Sequence, residues 1–333
     1  MKAETKVEAS LESIRGELAR TPATTSTLNF IVWIDDPKRR DWILERAAML
    51  SEKHPSFTLI FDNTGECGER ATVATSARPN AEPLGAAQGE RVELDASCFD
   101  AQTVDEYAQS LCRSGLPTLL WWSGMKVESR PVFEALLPHA DTLLVDSAGS
   151  VTDERGIRSL VQFRREHPNV ELRDLAWLRL RPWLDMIANF FDAPELTREL
   201  FGIRKLTIAS GSAAEALYLA AWLASALGWK ATGENAFVDL EGNAIRFTRR
   251  QHGEIRRVYS VRIDTETSSY VGEVSPDDPK VVRVWTEGKN AWDGRLFPLQ
   301  AVDNASLLER AVLESGSDEL YDATLGTVGT LLG

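Results

Sequence analysis

Side chains that commonly perform chemistry are few and scattered in this sequence. The chain has four histidines and three cysteines among 333 residues, and they form neither a CxxC pair nor the spacing of a zinc site. We therefore predict no metal and no bound cofactor. Cys67 lies in the polar stretch NTGECGER, so it is a candidate for oxidation, with a plain loop thiol as the alternative. Reduced thiols are the default for all three cysteines.

One turn has the composition of an anion site. Ser210-Gly211-Ser212 stands between a predicted strand and a predicted helix, and free backbone N–H groups at a helix N-terminus can hold a phosphate. Ser212 with Glu215 three residues later is also a capping box, so a simple helix cap is the alternative. The sequence contains no GxxxxGK[ST], GxGxxG, HExxH or GxSxG motif, which favours a protein that is not an enzyme.

Tryptophan and arginine form the most unusual pattern. The chain has ten tryptophans, and in the segment DLAWLRLRPWLDMIANFF (174–191) Trp and Arg alternate at a period of two up to Trp183. Pro182 suits the first turn of a helix that would end near Phe191. Trp121 and Trp122 end an apolar strand, so their side chains must point to opposite faces. One of the two is expected in the core and the other against a helix or a binding surface.

These residues predict a surface that binds another protein. Arg179 and Arg181 are costly to bury without acidic partners, and Trp together with Arg is the composition of interface hot spots. The predicted partner-binding residues are Trp122, Trp177, Arg179, Arg181 and Trp183. For the apolar face of the helix that follows, the alternative to partner binding is burial in a core between the two domains.

The elements that must position these residues follow two patterns. From 25 to 172, uninterrupted apolar strands such as LNFIVWI (28–34) alternate with helices, which is typical of a mostly parallel α/β layer domain. Residues 1–24 are predicted as an amphipathic helix, at 7–18, and a linker. From 173 to 333 a capped helix, polar–apolar alternating strands and two short terminal helices predict an α+β domain with an antiparallel meander.

Charge narrows the classes of partner. The net charge is −13 and the sequence pI is about 5.0, whereas nucleic-acid binding requires clustered Lys and Arg and anionic lipid attracts basic segments. No apolar run reaches the roughly 20 residues that span a bilayer, and the N-terminus lacks the features of a signal peptide. We expect a cytoplasmic protein that binds neither nucleic acid nor membrane.

At the central segment the sequence resembles a known family. DLAWLRLRPWLDMIANFFD (174–192) is similar to the signature of the glucose-6-phosphate dehydrogenase assembly protein family, OpcA. In that family an acidic residue and Trp lead into an Arg, a second Trp and a helix that ends in Phe-Asp. GLPTLLWWSG (115–124) and TLNFIVWIDD (27–36) resemble two further elements of the family.

The resemblance implies a non-catalytic partner of glucose-6-phosphate dehydrogenase. Such a protein would promote assembly or allosteric activation of that enzyme and so support the oxidative pentose phosphate pathway. Cyanobacterial members of the family are linked to thioredoxin-dependent redox control, and the cysteines here form no obvious redox pair. From the residues alone, a second hypothesis stays open: a sugar-phosphate- or nucleotide-binding α/β enzyme that uses the Ser210-Gly211-Ser212 helix N-terminus.

Overall fold

The computed structural model describes residues 3–20, 26–65, 70–77, 88–123, 131–150, 154–233, 235–253, 257–299, 304–314 and 316–333. The chain divides into two compact units that are both discontinuous in sequence. Unit 1 comprises 1–145, 163–173 and 304–315, and unit 2 comprises 146–162, 174–303 and 316–333. The sequence predicts a single boundary between 172 and 173, whereas each observed unit is assembled from three stretches.

The described residues form sixteen strands and eleven α-helices. The strands are β1 (Ala3–Glu8), β2 (Leu28–Ile34), β3 (Ser56–Asp62), β4 (Arg70–Ala77), β5 (Gln88–Asp95), β6 (Thr118–Trp122), β7 (Thr142–Val145), β8 (Glu171–Asp174), β9 (Ile203–Ser210), β10 (Lys230–Gly233), β11 (Ala236–Val238), β12 (Ala244–Gln251), β13 (Val258–Thr265), β14 (Ser268–Val274), β15 (Val281–Gly288) and β16 (Trp292–Pro298). The helices are α1 (Leu11–Leu18), α2 (Arg40–Lys53), α3 (Ala101–Leu111), α4 (Pro131–Leu136), α5 (Ser147–Ser150), α6 (Glu154–Glu166), α7 (Leu175–Phe190), α8 (Pro194–Thr197), α9 (Ala213–Leu227), α10 (Asn304–Leu313) and α11 (Glu319–Leu332). None of the helices in the described ranges has both the length and the hydropathy to cross a bilayer.

Unit 1 is built on a mostly parallel sheet, as predicted. Its strand order is β1-β4-β5-β3-β2-β6-β7-β8. The five strands from β5 to β7 in this order run parallel, while β4 and β1 extend the sheet with antiparallel pairs. Strand β3 is buried along its whole length, and β2 along all of it except its first residue. This burial explains why the sequences of both strands are uninterrupted apolar runs.

The N-terminus differs from its prediction. The helical spacing predicts one helix over 7–18, but residues Ala3–Glu8 form β1, which pairs with β4. The helix α1 begins only after Ser10, whose side chain accepts a hydrogen bond from the Ser13 backbone N–H at 3.2 Å. Pairing of the backbone with a strand more than sixty residues away therefore overrides the local periodicity of Val7.

Unit 2 contains the predicted antiparallel meander, and helices pack on its sheet. Its strand order is β10-β11-β12-β9-β13-β14-β15-β16, in which only β9 and β12 pair in parallel. Helix α9 packs on β9 and β12, and Phe190 of α7 lies 5.7 Å from Tyr270 of β14, ring centre to ring centre. Ser212 caps α9, and Gly228 ends it in the left-handed conformation with φ of 69°, as the sequence predicts.

Helix α7 is longer than its prediction. The period of two up to Trp183 indicates a helix that starts at Pro182, yet one helix runs from Leu175 to Phe190 with Pro182 inside it. Asp174 starts this helix by accepting a hydrogen bond from the Ala176 backbone N–H at 2.9 Å. The Trp and Arg side chains are therefore arranged with helical rather than strand periodicity.

Candidate functional site

The structure places the five predicted partner-binding residues in two locations. Trp122 ends β6 in unit 1, and the other four lie on α7 in unit 2. Trp122, Trp177 and Trp183 are only 1–4 % exposed, so these rings do not form the expected surface. Trp121 is also buried, and thus both members of the Trp pair belong to the core. Partner binding by these residues stays a prediction, and their observed contacts are structural.

Arg179 is buried beside two acidic residues that the sequence analysis did not pair with it. Its Nη2 atom lies 2.6 Å from Asp146 Oδ1 and its Nε atom 3.5 Å from Glu215 Oε1. Asp146 follows β7 and Glu215 stands in the first turn of α9, so two other segments supply the compensating charge. The Arg179 side chain is 12 % exposed, and those of Asp146 and Glu215 are 2 % and 1 % exposed. This ion-paired cluster meets the condition under which an arginine can be buried.

Asp174 is the hydrogen-bond centre of unit 2. Its Oδ1 atom accepts from the backbone N–H groups of Ser147, at 3.0 Å, and Ala176. Its Oδ2 atom accepts from the hydroxyls of Tyr218, at 2.8 Å, and Tyr321, at 3.3 Å. Burial raises the pKa of Asp174 and also raises the pKa of both tyrosines, which keeps the phenols protonated as donors. One carboxyl group thereby joins α5, α7, α9 and α11.

Arg181 and Trp177 share one acidic partner, Asp318. Asp318 Oδ2 accepts from Arg181 Nη2 at 2.7 Å and from Trp177 Nε1 at 2.8 Å. The Arg181 guanidinium lies 5.9 Å from the centre of the Trp177 ring. Asp318 Oδ1 also accepts from two backbone N–H groups at the start of α11, those of Leu320 and Tyr321. The Trp and Arg positions of the central motif thus fasten the C-terminal helix to α7.

Glu215 is a titratable group with a pKa close to neutrality. Burial raises the pKa of its carboxyl to about 7, against the opposing effect of the nearby Arg179 guanidinium. A catalytic acid or base must reach its substrate, whereas this side chain is 1 % exposed. The perturbed pKa is therefore explained by desolvation in a structural cluster.

The Ser210-Gly211-Ser212 turn is occupied by the protein itself. Ser212 Oγ caps α9 and lies 3.4 Å from Glu215 Oε2, so an approaching anion would meet a carboxyl group. The Gly211 backbone N–H donates to the Arg257 carbonyl at 2.8 Å, and Ser210 and Ser212 are 1 % and 5 % exposed. These contacts confirm the simple helix cap.

A pair of tryptophans stands where doubly wound sheets usually bind ligands. The strand order of unit 1 reverses between β2 and β6, and ligands of such folds bind beyond the carboxyl ends of the strands at this point. Here Trp33 and Trp122 are neighbours in register and stack with ring centres 5.6 Å apart and planes 9° apart. Both rings are buried. Sequence reasoning overlooked Trp33, although it occupies the same place near the end of its strand as Trp122.

The cysteines differ from the default of three reduced thiols. Cys98 is disulfide-bonded, while Cys112 is free and burial raises the pKa of its thiol to about 12. Cys67, the predicted oxidation site, lies outside the described residues. Within the described part of the chain, no group of three His, Cys, Asp or Glu residues is arranged to hold a metal ion.

Two family models match the chain, one after the other. Residues 47–162 match the N-terminal domain of the glucose-6-phosphate dehydrogenase subunit OpcA, and residues 170–325 match its C-terminal domain. Together the two matches cover most of the sequence.

Similar proteins are known from cyanobacteria. The putative OxPP cycle protein OpcA of Synechocystis sp. is 34 % identical over 116 residues, which are 34 % of this chain and 24 % of that protein. Its counterpart in Nostoc punctiforme is 29 % identical over 143 residues, 42 % of this chain and 30 % of that protein. The matched segments thus span less than a third of the length of these curated relatives.

Among solved structures, the chain is similar to the 3-ketoreductase KijD10 from Actinomadura kijaniata in complex with NADP and TDP-benzene. The TM-score is 0.53 at 13 % identity, over 92 % of this chain and 96 % of that chain. At this identity the likeness describes the fold, a parallel α/β unit followed by a unit with a largely antiparallel sheet.

Proposed function

Because this chain belongs to the OpcA family of glucose-6-phosphate dehydrogenase subunits, we propose that it is a non-catalytic subunit that binds glucose-6-phosphate dehydrogenase. In this role it promotes assembly and allosteric activation of the enzyme in the cytoplasm and supports the oxidative pentose phosphate pathway. The observation that carries the proposal is the pair of family matches, which occur in order and extend over both units.

The geometry at the positions where a ligand would be expected supports a binding role rather than catalysis. In unit 1 the indoles of Trp33 and Trp122 are buried and stack on each other near the switch point of the sheet. In unit 2 the Ser212 helix cap is buried against Glu215. At the Ser212 helix N-terminus a phosphate group would meet the Glu215 carboxyl, which argues against the nucleotide or sugar-phosphate site considered for that turn.

The proposed mechanism is a difference in binding between two states of the enzyme. A subunit changes the activity of its partner only if it binds the active or assembled state more tightly than the inactive one. A coupling of about 1–3 kcal/mol would change substrate affinity roughly 5- to 150-fold. An effect in this range is large enough to be measured in a steady-state assay.

The test is co-purification with glucose-6-phosphate dehydrogenase from the same organism, followed by kinetics with and without this chain. We expect a stable complex, a lower KM or a higher kcat in its presence, and no turnover by the chain alone. The enzyme hypothesis predicts instead that sugar phosphates or nucleotides raise the melting temperature of the isolated chain. That result, together with the absence of a complex, would refute the proposed function.

A further inference from the structure

The number of cysteines identifies the disulfide partner of Cys98. The chain contains three cysteines. Cys98 is disulfide-bonded and Cys112 is a free thiol, so within one chain only Cys67 remains as the partner. Because Cys67 lies outside the described residues, the geometric case for this pair depends on Cys98 and on the described segments that flank both cysteines.

The register of β4 and β5 leads to the same pair. Ala71 is opposite Leu94, and this antiparallel register continues without a shift to Ala77 and Gln88. Four residues before Ala71 and four residues after Leu94, the same register reaches positions 67 and 98. Directly opposite residues of antiparallel strands have Cα atoms about 4.5–5.5 Å apart. A disulfide joins Cα atoms roughly 4.4–6.8 Å apart, so this register suits a bond between the two positions.

A hydrogen bond holds the two flanking turns together. Strands β3 and β5 are parallel neighbours that end in register with each other. Beyond their ends, the Ser97 hydroxyl donates to the Gly65 carbonyl oxygen at 2.9 Å. Ser97 directly precedes Cys98, and Gly65 is two residues before Cys67. Because two residues extend at most about 7 Å, this hydrogen bond keeps the two cysteines within reach of each other.

Cys98 and Cys112 differ in accessibility and in reactivity. Cys98 is exposed in the turn after β5, where a thiol reagent in solution can reach its bond. Cys112 ends α3, and burial raises the pKa of its thiol to about 12. Since the thiolate is the species that attacks a disulfide, Cys112 does not compete for Cys98 by exchange.

We propose that Cys67 and Cys98 form an intramolecular disulfide that fixes β4 to β5 and that a dithiol can open. The chain connects these two strands between Ala77 and Gln88, and the disulfide joins them at the opposite end. Strand β1 pairs with β4 at the edge of the described sheet. The bond therefore also secures β1 to the parallel strands of unit 1. This inference is independent of the proposed function.

The bond opens by thiol–disulfide exchange, which is a two-electron reduction. One thiolate of the dithiol attacks a sulfur of the pair, and the cysteine that leaves takes up a proton. The second thiolate of the reagent then displaces the remaining cysteine, which is protonated in turn. The protein gains two thiols, and the dithiol becomes a disulfide. The reverse exchange with the oxidised reagent restores the bond.

The first measurement counts thiols from the mass of the intact chain after alkylation in denaturant. We expect the air-oxidised wild type to take up one alkyl group, at Cys112, and all three after reduction with dithiothreitol. The control Cys112→Ser should take up none and then two. Monomeric Cys67→Ser should take up two groups before and after reduction, because Cys98 has lost its partner.

Two results of this measurement would overturn the proposal. Three alkyl groups on the unreduced wild type would show that no bond forms. A covalent dimer that dithiothreitol separates would show that Cys98 bonds to a second copy of the chain. The wild-type count decides the question by itself if Cys112→Ser does not fold.

The second measurement tests whether the bond fixes β4. Hydrogen exchange compares the oxidised wild type with the same chain reduced by dithiothreitol. We expect the amides of β1 and β4 to exchange at least about tenfold faster after reduction, while those of β7 keep their rates. Cys67→Ser should show the fast rates with or without dithiothreitol, which separates loss of the bond from other effects of the reagent. Unchanged rates in β1 and β4 of the reduced wild type would refute the fixing role.

Discussion

At the scale of single residues, the signature of the central segment is explained by burial. Asp174, Trp177, Arg179 and Trp183 are the acidic, aromatic and basic positions by which the sequence resembles its family. In the structure Asp174 accepts four hydrogen bonds, Arg179 is enclosed by two carboxyl groups, and both tryptophans are core residues. These positions therefore maintain the fold of unit 2 whether or not they also contact a partner.

Arg179→Met should lower the free energy of unfolding by about 3–5 kcal/mol, because it leaves the carboxyl groups of Asp146 and Glu215 buried without their cation. Arg181→Met is the matched control. Its side chain is 29 % exposed and, among the described residues, has one acidic partner, so we expect a loss of only about 1 kcal/mol. Urea denaturation of the three proteins measures the difference. Equal losses in the two variants would contradict a special role for the Arg179 cluster.

Glu215 should make folding depend on pH in an unusual direction. Its pKa is about 7 in the folded protein against an ordinary value of 4.5, so the folded chain holds this proton more tightly than the unfolded chain. The contribution to stability is complete below pH 4.5 and is lost as the pH rises through about 7. Glu215→Gln has no titratable carboxyl at this position, so its free energy of unfolding should not show this dependence on pH.

The measurement is the free energy of unfolding of the wild type minus that of Glu215→Gln, at about pH 5.5 and about pH 8. We expect the stability of the wild type relative to that of Glu215→Gln to fall by about 2 kcal/mol between these two pH values. Glu195→Gln, at an exposed position, is the control. Its free energy of unfolding relative to that of the wild type should be the same at both pH values. If the difference between the wild type and Glu215→Gln is also the same at both pH values, then the Glu215 carboxyl of the wild type is ionised throughout this range.

At the scale of elements, the register shift between β15 and β16 depends on Gly294. Gly294→Ala should destabilise unit 2 by at least about 1–3 kcal/mol, since the added methyl group would overlap the Val284 carbonyl and the residue would keep a positive φ. Gly16→Ala is the control, because Gly16 lies in α1 with no atom within 4 Å of its Cβ position. That variant should gain about 0.5–1 kcal/mol. Thermal unfolding of both variants distinguishes them by the sign of the change.

At the scale of the whole molecule, the two final helices belong to different units. Helix α10 lies in unit 1, where Leu307, Leu308 and Ala311 are buried. Helix α11 lies in unit 2, where Tyr321 bonds to Asp174. The last thirty residues are thus divided between the two units, whereas the sequence places all of 173–333 in one domain.

Deletions of the two helices should therefore have separable effects. A chain that ends at 315 should lose amide protection in peptides of unit 2, because α11 no longer covers α9, while peptides of the unit 1 sheet remain protected. A chain that ends at 303 should lose protection in both units. Hydrogen exchange with mass spectrometry resolves the two patterns. If the chain that ends at 315 loses protection in unit 1 as well, then unit 1 also depends on α11.

The sequence alone determined the elements whose signals are local. Uninterrupted apolar strands predicted the parallel sheet, polar–apolar alternation predicted the meander, and Ser212 and Gly228 predicted both ends of α9. Each of these signals depends on residues within a few positions of one another, where side-chain periodicity and helix capping operate. The family resemblance also depends on a contiguous segment.

Only the tertiary structure decided which charged and aromatic side chains reach solvent. Arg179 is buried because Asp146 and Glu215 come to it from 33 and 36 residues away along the chain, and Trp122 is covered by Trp33 and Phe133. Conversely, Trp292, Leu296 and Arg295 are exposed on β16, which lies at the edge of the described sheet. Burial of a charge depends on distant partners and exposure of a strand depends on its place in the sheet, and neither is encoded in local spacing.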